Sequence, residues 1–451
     1  MQPLTACQRM LAFCLAAVLG AWPLCAQEKP PARVRVLTVD FVLPGKFERL
    51  NALAQSVGQT LDHAYVETAP PAPAALMEGA DLVILDTPRP MDMAKLQTRL
   101  AGELKTTRVP WLRVGGGPPI FGNLAPEHAR RLITYYASGG EANLKNFFAY
   151  AAAMLRGGDV STIPAPRPLP ATGFYHPKAP HLFAHVDDYL RWLDDNGPRD
   201  APRIGIAIHS GLIAAMETKV VDAMIETATA RSLAPIVFWF DAADPAGLEK
   251  VLKPARATAL IIATHLQNGP ARAAEFARLN MPVMQAISHR DGSIADWRTK
   301  QQGMAMPLVA PFLAVPETWG VSDPIVTDAV EKGEPTPISE QIDLLMAKAW
   351  RLAALKTRAN ADKQLALMFW NYPPGEKNLS ASNLNVPRSL AQLTAALAAA
   401  GYRVPASTEP ALIEAAQSLL GAIYHRERLQ GLLANDLAER FPLAAYQAWF
   451  N

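Results

Sequence analysis

The run Ile204-Gly205-Ile206-Ala207-Ile208 carries no polar side chain, stops at His209-Ser210-Gly211, and passes into a helical pattern that lasts to Ala230. A second apolar run, Ile236 to Phe240, follows. Strand, loop, helix and strand in that succession form the unit of a parallel sheet, because a crossover along one face is needed to return the chain to the same direction. The plan recurs twice. Val34 to Val39 leads through Pro44-Gly45 to a helical pattern from Phe47 to Leu61, and Leu365 to Trp370 leads through a polar loop to a helix from Pro387 to Ala400. Gly401 stops that last helix, and Tyr402-Arg403-Val404 supplies the strand after it.

Further buried strands are expected at Asp81 to Leu85, Trp111 to Val114, Leu260 to Thr264, Pro282 to Ile287 and Leu308 to Val315. The predicted fold class is therefore α/β, with several strand-loop-helix units forming mostly parallel sheets in a multi-domain chain. Proline marks the breaks: Pro164-Ala165-Pro166-Arg167-Pro168-Leu169-Pro170 is one, and Gly333-Glu334-Pro335-Thr336-Pro337, before a helix from Ile338 to Leu355, is another. The expected division is an N-terminal α/β domain over 27–163, a proline-rich linker and helix over 164–200, and a second α/β domain over 201–356. Residues 361–451 begin a third, with C-terminal helices from Glu409 onward.

Charge and cysteine usage narrow the function. Lys and Arg number 43 against 41 Asp and Glu, a net charge of +2 with no long basic run, so nothing marks a surface for nucleic acid. Residues 1–26 read as a signal peptide: Arg9, an apolar stretch from Met10 to Leu24 broken by Pro23, then Cys25-Ala26 before the polar Gln27-Glu28-Lys29. That stretch falls short of the ~20 apolar residues a bilayer span needs, so the expectation is cleavage after Ala26 and an exported, periplasmic protein. Cys7, Cys14 and Cys25 all lie inside it. The exported chain would then have no disulfide, no thiolate metal site and no cysteine nucleophile, and any metal would rest on nitrogen and oxygen ligands. Gly115-Gly116-Gly117 runs straight into Pro118-Pro119 and reads as a turn, no Gly-rich loop ends in Lys-Ser or Lys-Thr, and Gly-x-Ser-x-Gly is absent, so no nucleotide site is expected.

Six clusters, in order along the chain, carry a family resemblance. They are Gly139-Gly140-Glu141-Ala142-Asn143; Gly173-Phe174-Tyr175-His176-Pro177 with Tyr189 and Trp192; the strand at Ile204 with Asp222; Pro282-Val283-Met284-Gln285-Ala286 with Trp297; Val315-Pro316-Glu317 with Gly320 and Pro324; and Asn371-Tyr372-Pro373-Pro374-Gly375 with Lys377-Asn378, Leu384-Asn385-Val386-Pro387 and Ser389-Leu390. With these the chain resembles the N-terminal part of the cobaltochelatase large subunit, a family shared with the porphyrin-binding subunit of magnesium chelatase. The resemblance implies a tetrapyrrole as substrate or ligand, a divalent metal (cobalt, magnesium or iron), and further chelatase subunits or an outer-membrane uptake system as partners. An exported form suits an alternative role as a tetrapyrrole or metal carrier without chemistry, and a docking remnant of a chelatase subunit is a third reading.

Metal insertion or removal asks for a carboxylate or imidazole near the ring, a nitrogen and oxygen perch for the metal, and aromatic surface against the macrocycle. Glu317 is the expected proton-transfer carboxylate, placed at the carboxyl end of the strand Leu308 to Val315, where such sheets bind ligands. His289, with Asp291 close behind, is the expected metal ligand; Trp297 and Trp319 are the stacking candidates, against the commoner fate of a core tryptophan. His181 and His185 open an expected helix after Pro180 and could chelate a metal from one face, with His176 upstream, while His209 ends its own strand. Asn371, Tyr372, Lys377 and Asn378 are expected to bind the tetrapyrrole, because amide and ammonium donors just before a helix N-terminus suit its carboxylates.

Overall fold

The computed structural model describes residues 31–68, 74–300, 304–435 and 437–450; the expected export segment lies outside the described residues. The chain divides into two compact units, one up to Trp350 and one from Arg351 on. The first holds two sheets. One is built of β1 (Arg33–Thr38), β2 (Thr60–Tyr65), β3 (Leu82–Asp86), β4 (Trp111–Val114) and β5 (Ile120–Gly122), in the order β2-β1-β3-β4-β5. The other is built of β6 (Gly173–Tyr175), β7 (Arg203–Ile208), β8 (Ala234–Trp239), β9 (Ala259–Ala263), β10 (Val283–His289), β11 (Ser322–Glu331) and β12 (Glu334–Pro337), in the order β12-β11-β10-β9-β7-β8-β6. Every pairing in both sheets is parallel except the edge pairs β4 with β5, β6 with β8 and β11 with β12. The chain is thus α/β with mostly parallel sheets.

Both sheets are covered on their faces, which is why β3 and β8 are buried along their whole length. Phe47, Leu50 and Ala54 from the helix Pro44–Ser56 pack on Val34 and Val36, together with Tyr135, Phe147 and Phe148 from the helices Pro126–Ser138 and Gly140–Arg156. Tyr189, Phe174, Phe238 and Leu260 centre the core of the second sheet. The loops after β1, β7, β10 and β11 meet, so the two sheets present their carboxyl ends to each other: Arg290 donates from Nη2 to the Phe41 carbonyl at 3.0 Å, and the Gly45 amide donates to the Gly333 carbonyl at 3.1 Å.

Several expectations are corrected. Leu308 to Val315 is not a strand but a chain of short helical turns, Met306–Val309, a π turn Ala310–Ala314, and Val315–Trp319. Pro307 stands in the first turn after extended Ala305, where a missing N–H costs nothing, while Pro311, the one proline inside Leu308 to Val315, falls at the start of the π turn and would cost a central strand a ladder bond. Gly333 to Pro337 is no linker. Lys332 and Gly333 have φ of 51° and 77°, the positive pair a two-residue hairpin turn requires, and Pro335 and Pro337 fall on an edge strand, the place in a sheet that tolerates them. The helical pattern from Phe47 to Leu61 ends at Ser56; Gly58, at φ 70°, turns the chain and Leu61 belongs to β2.

The second unit contains the helices Val386–Ala399, Glu409–Tyr424, Leu429–Ala434 and Leu443–Phe450 and one two-residue hairpin, β13 (Ser380–Ala381) with β14 (Leu384–Asn385). Leu365 to Trp370 is not a strand there. Its apolar side chains stand in solvent, Met368 at 91% and Trp370 at 81% exposure, and no backbone hydrogen bond is formed by Gln364 to Asn371 among the described residues. A parallel strand is stable only between neighbours, and no described strand of this unit lies beside it. Tyr402 to Val404 is likewise outside any sheet, although Gly401, at φ 86°, does end its helix as expected. No described helix is long and apolar enough to cross a membrane.

Candidate functional site

In the second unit, Asn371 to Asn385 forms a loop that closes on itself. The Tyr372 amide donates to the Ser380 carbonyl at 2.9 Å, and the Ser382 amide returns to the Tyr372 carbonyl at 3.0 Å. Asn378 is spent inside it: its Nδ2 donates to the Pro373 carbonyl at 2.6 Å and its Oδ1 accepts from Ser380 Oγ at 3.2 Å. The loop delivers the chain into Val386–Ala399, whose first turn is capped by Asn385 accepting from the Arg388 amide at 3.0 Å. Asn385 Nδ2 also donates to Glu409 Oε1 at 3.0 Å, at the start of the helix Glu409–Tyr424 that Thr408 caps.

Two helix N-termini therefore flank one open pocket of about 390 Å³, lined by Lys377, Asn378, Ser380, Asn383, Asn385 and Glu409 among others. Its volume is within the range of small-molecule sites, and its donors favour an anionic group, with the Glu409 carboxylate as the one opposing charge named in the lining. Lys377 is exposed and makes no ion pair among the described residues. Tyr372 is 55% exposed, while Asn371 carries a buried Oδ1 with no hydrogen-bond partner.

The remaining expected site residues lie in the first unit, and they do not converge. Glu317 sits in the first turn of the short helix Val315–Trp319, exposed, instead of at a strand end. Trp319, two residues on, is packed into the core; a methyl group at Gly269 would come within 2.3 Å of its ring, so the tryptophan fills the space that glycine leaves. Trp297 is half-buried in the helix Ile294–Thr299. His289 ends β10, 5% exposed, with no partner for its Nε2; burial, reinforced by the Lys300 ammonium, pulls its pKa below the usual imidazole value. Among the described residues no three His, Cys, Asp or Glu side chains gather to hold a metal ion.

The other histidines are structural. His176 lies 4.7 Å from the Trp192 ring and His181 4.7 Å from Phe183, and the helix expected to carry His181 and His185 starts only at Val186, so the two never share a helical face. His209 uses Nδ1 to accept from the Gly211 amide at 2.9 Å. Sequence reasoning missed Asn383, Asn385 and Glu409 as pocket residues; the two capping signals, Asn385 before Val386-Pro387 and Thr408 before Glu409-Pro410, mark where two helices begin but not that they begin together.

The mostly parallel, face-covered sheets are those of an α/β protein, and residues 133–451 match the CobN/magnesium chelatase family. The chain belongs to that family. It is 26% identical over 345 residues to the chloroplastic magnesium-chelatase subunit ChlH of Oryza sativa subsp. indica, covering 70% of this chain and 24% of that one. It is 26% identical over 351 residues to the aerobic cobaltochelatase subunit CobN of Pseudomonas aeruginosa, covering 73% and 27%. The catalytic subunit of cobaltochelatase from Mycobacterium tuberculosis shares the fold, with a TM-score of 0.58 at 20% identity over 83% of this chain and 31% of that one. This chain thus spans about a quarter of the length of the curated relatives.

Proposed function

We propose that this chain binds a tetrapyrrole through its second unit, with the ring's carboxylates held at the pocket beside Lys377 and Asn385, and that it assists the insertion or removal of a divalent metal. The observation that carries this reading is the coincidence of the loop Asn371 to Asn385, which lies within the family match, with an open pocket at two helix N-termini. The apolar run Leu365 to Trp370 leads directly into that loop and offers Phe369 and Trp370 as exposed ring-facing surface. Metal and tetrapyrrole are substrates here; the relatives' names supply cobalt and magnesium as the metals to try first. Further chelatase subunits would be the partners, and residues 1–26 would send the chain to the periplasm, which the mass of the secreted product would test.

Binding without chemistry is the second reading, and one observation favours it: Glu317 is a solvated carboxylate remote in sequence from the pocket. An absorbance titration with haem, protoporphyrin and a cobalt corrinoid, each with and without divalent metal, tests both. Saturable spectral change with one ring supports the site, and a roughly fivefold weakening in Lys377→Ala assigns it to the pocket. Ring binding without any metal exchange leaves the carrier reading standing, whereas exchange that is lost in Glu317→Gln at unchanged ring affinity supports chemistry. No spectral change with any ring refutes the proposal.

A further inference from the structure

The loop Asn371 to Asn385 is fastened to the helix Glu409–Tyr424 at a second place, away from the bond between Asn385 and Glu409. Gly375 to Asn378 is a tight turn, closed by the Asn378 amide donating to the Gly375 carbonyl at 3.2 Å, with Glu376 and Lys377 as its two central residues. Lys377 lines the pocket, whereas the Glu376 carboxylate reaches the far end of the helix. There Arg428 donates from Nη1 to Glu376 Oε1 at 2.7 Å, and His425 Nε2 lies 3.1 Å from Glu376 Oε2. His425 Nδ1 is 3.6 Å from Glu427 Oε1, so two acids and two bases form one cluster.

Both bases are themselves anchored to the helix end. The His425 amide donates to the Gly421 carbonyl at 2.8 Å, and the Arg428 amide donates to the His425 carbonyl at 2.9 Å. Gly421 leaves the room the cluster occupies: a Cβ there would stand 3.0 Å from Arg428 Nη1 and 3.5 Å from Glu376 Oε1. Gly421 and Glu409 are about 18 Å apart along the helix axis, so the loop is held to one helix near both ends. The pocket-lining residues from Lys377 to Leu384 all fall between the two ties.

Building on the tetrapyrrole reading above, we propose that Glu376 is a positioning residue for the ring: clamped by Arg428 and His425, it fixes the turn that sets the Lys377 ammonium at the pocket. Fixing one central residue of a four-residue turn fixes the backbone from which the other side chain leaves. Part of the ordering that a bound carboxylate would otherwise impose on Lys377 is then done beforehand, and affinity gains what that ordering would have cost. The three side chains are partly exposed, so the clamp shifts the local equilibrium by about two- to fivefold.

Two measurements on the full chain separate the clamp from the ring. Without ligand, hydrogen exchange in a peptide covering residues 372–382 should quicken by about two- to fivefold in Glu376→Ala and in Arg428→Ala. The double variant should be no faster than Glu376→Ala, since Arg428 acts through that carboxylate. Unchanged exchange in both single variants overturns the clamp. With whichever of haem, protoporphyrin and a cobalt corrinoid the wild type binds, Glu376→Ala should raise Kd by about two- to fivefold, and should change nothing in a Lys377→Ala background or with the ring's carboxylates esterified. An unchanged Kd in Glu376→Ala, or a loss of affinity that persists with the esterified ring, overturns the positioning of Lys377. A wild type that binds no ring overturns the tetrapyrrole reading and with it the part of Glu376 in binding, while the exchange still reports whether the clamp exists.

Discussion

Gly139 offers a stringent test of how the two sheets of the first unit meet. It separates the helices Pro126–Ser138 and Gly140–Arg156 at φ 59° and ψ −161°, a conformation open essentially to glycine alone. A Cβ there would lie 2.2 Å from the Ala214 carbonyl oxygen and 2.5 Å from its Cα. The obstacle is backbone, so no side-chain rotation relieves it. Gly139→Ala should cost about 1–3 kcal/mol in conformation and about 1–3 kcal/mol in overpacking, roughly 2–6 kcal/mol together. The neighbour provides the control. Gly140 also has positive φ, 73°, but an added Cβ meets nothing within 4 Å, so Gly140→Ala should cost about 1–2 kcal/mol for strain alone. Urea unfolding of both variants, followed by tryptophan fluorescence in the same assay, reads the difference. Gly139→Ala should be less stable than Gly140→Ala by about 2 kcal/mol and should lose exchange protection in residues 210–217. Stabilities within about 0.5 kcal/mol of each other would refute the close approach.

Asn143→Ala should destabilise by about 1–3 kcal/mol, since the amide ties the Gly139 and Arg167 carbonyls and the Arg167 amide, and should expose the proline segment to proteolysis near Arg167. Gly269→Ala must displace Trp319, and a red shift of tryptophan emission in a folded variant would report it; unchanged emission would mean that the ring is not seated there. Lys377→Ala should weaken a carboxylate-bearing ring by about 1 kcal/mol, roughly fivefold in Kd, and should do nothing to the same ring with its carboxylates esterified.

How far the sequence could be read depended on whether the signal was local. β7 and β8 were legible because strands apolar on both faces occur only inside covered sheets, and Gly401 because a helix end there needs its positive φ. The segment Leu308 to Val315 misled because its hydrophobicity is that of a strand, while Pro311 inside it and Pro307 and Pro316 on either side were the better guide. Residues that carried the family resemblance often turn out to hold the fold: Tyr175 donates to Asp222 at 2.8 Å, and buried Tyr189 donates to the Pro235 carbonyl at 3.1 Å. The loop Asn371 to Asn385 was legible as a loop, but its pocket depends on Glu409, which only the tertiary arrangement brings to Asn385.

Leu365 to Trp370 has one more consequence, for anyone who handles this protein. An endoprotease needs a stretch of chain that can lie extended in its cleft with amides and carbonyls open, and an aromatic or large aliphatic side chain to seat in its pocket. Leu367, Met368, Phe369 and Trp370 provide all of this on the surface, whereas the sheets and helices of either unit must first unfold to do so. A chymotrypsin-like enzyme at low dose should therefore cut here before it cuts elsewhere in the described chain, and a bound ring that covers Phe369 and Trp370 would delay that first cut.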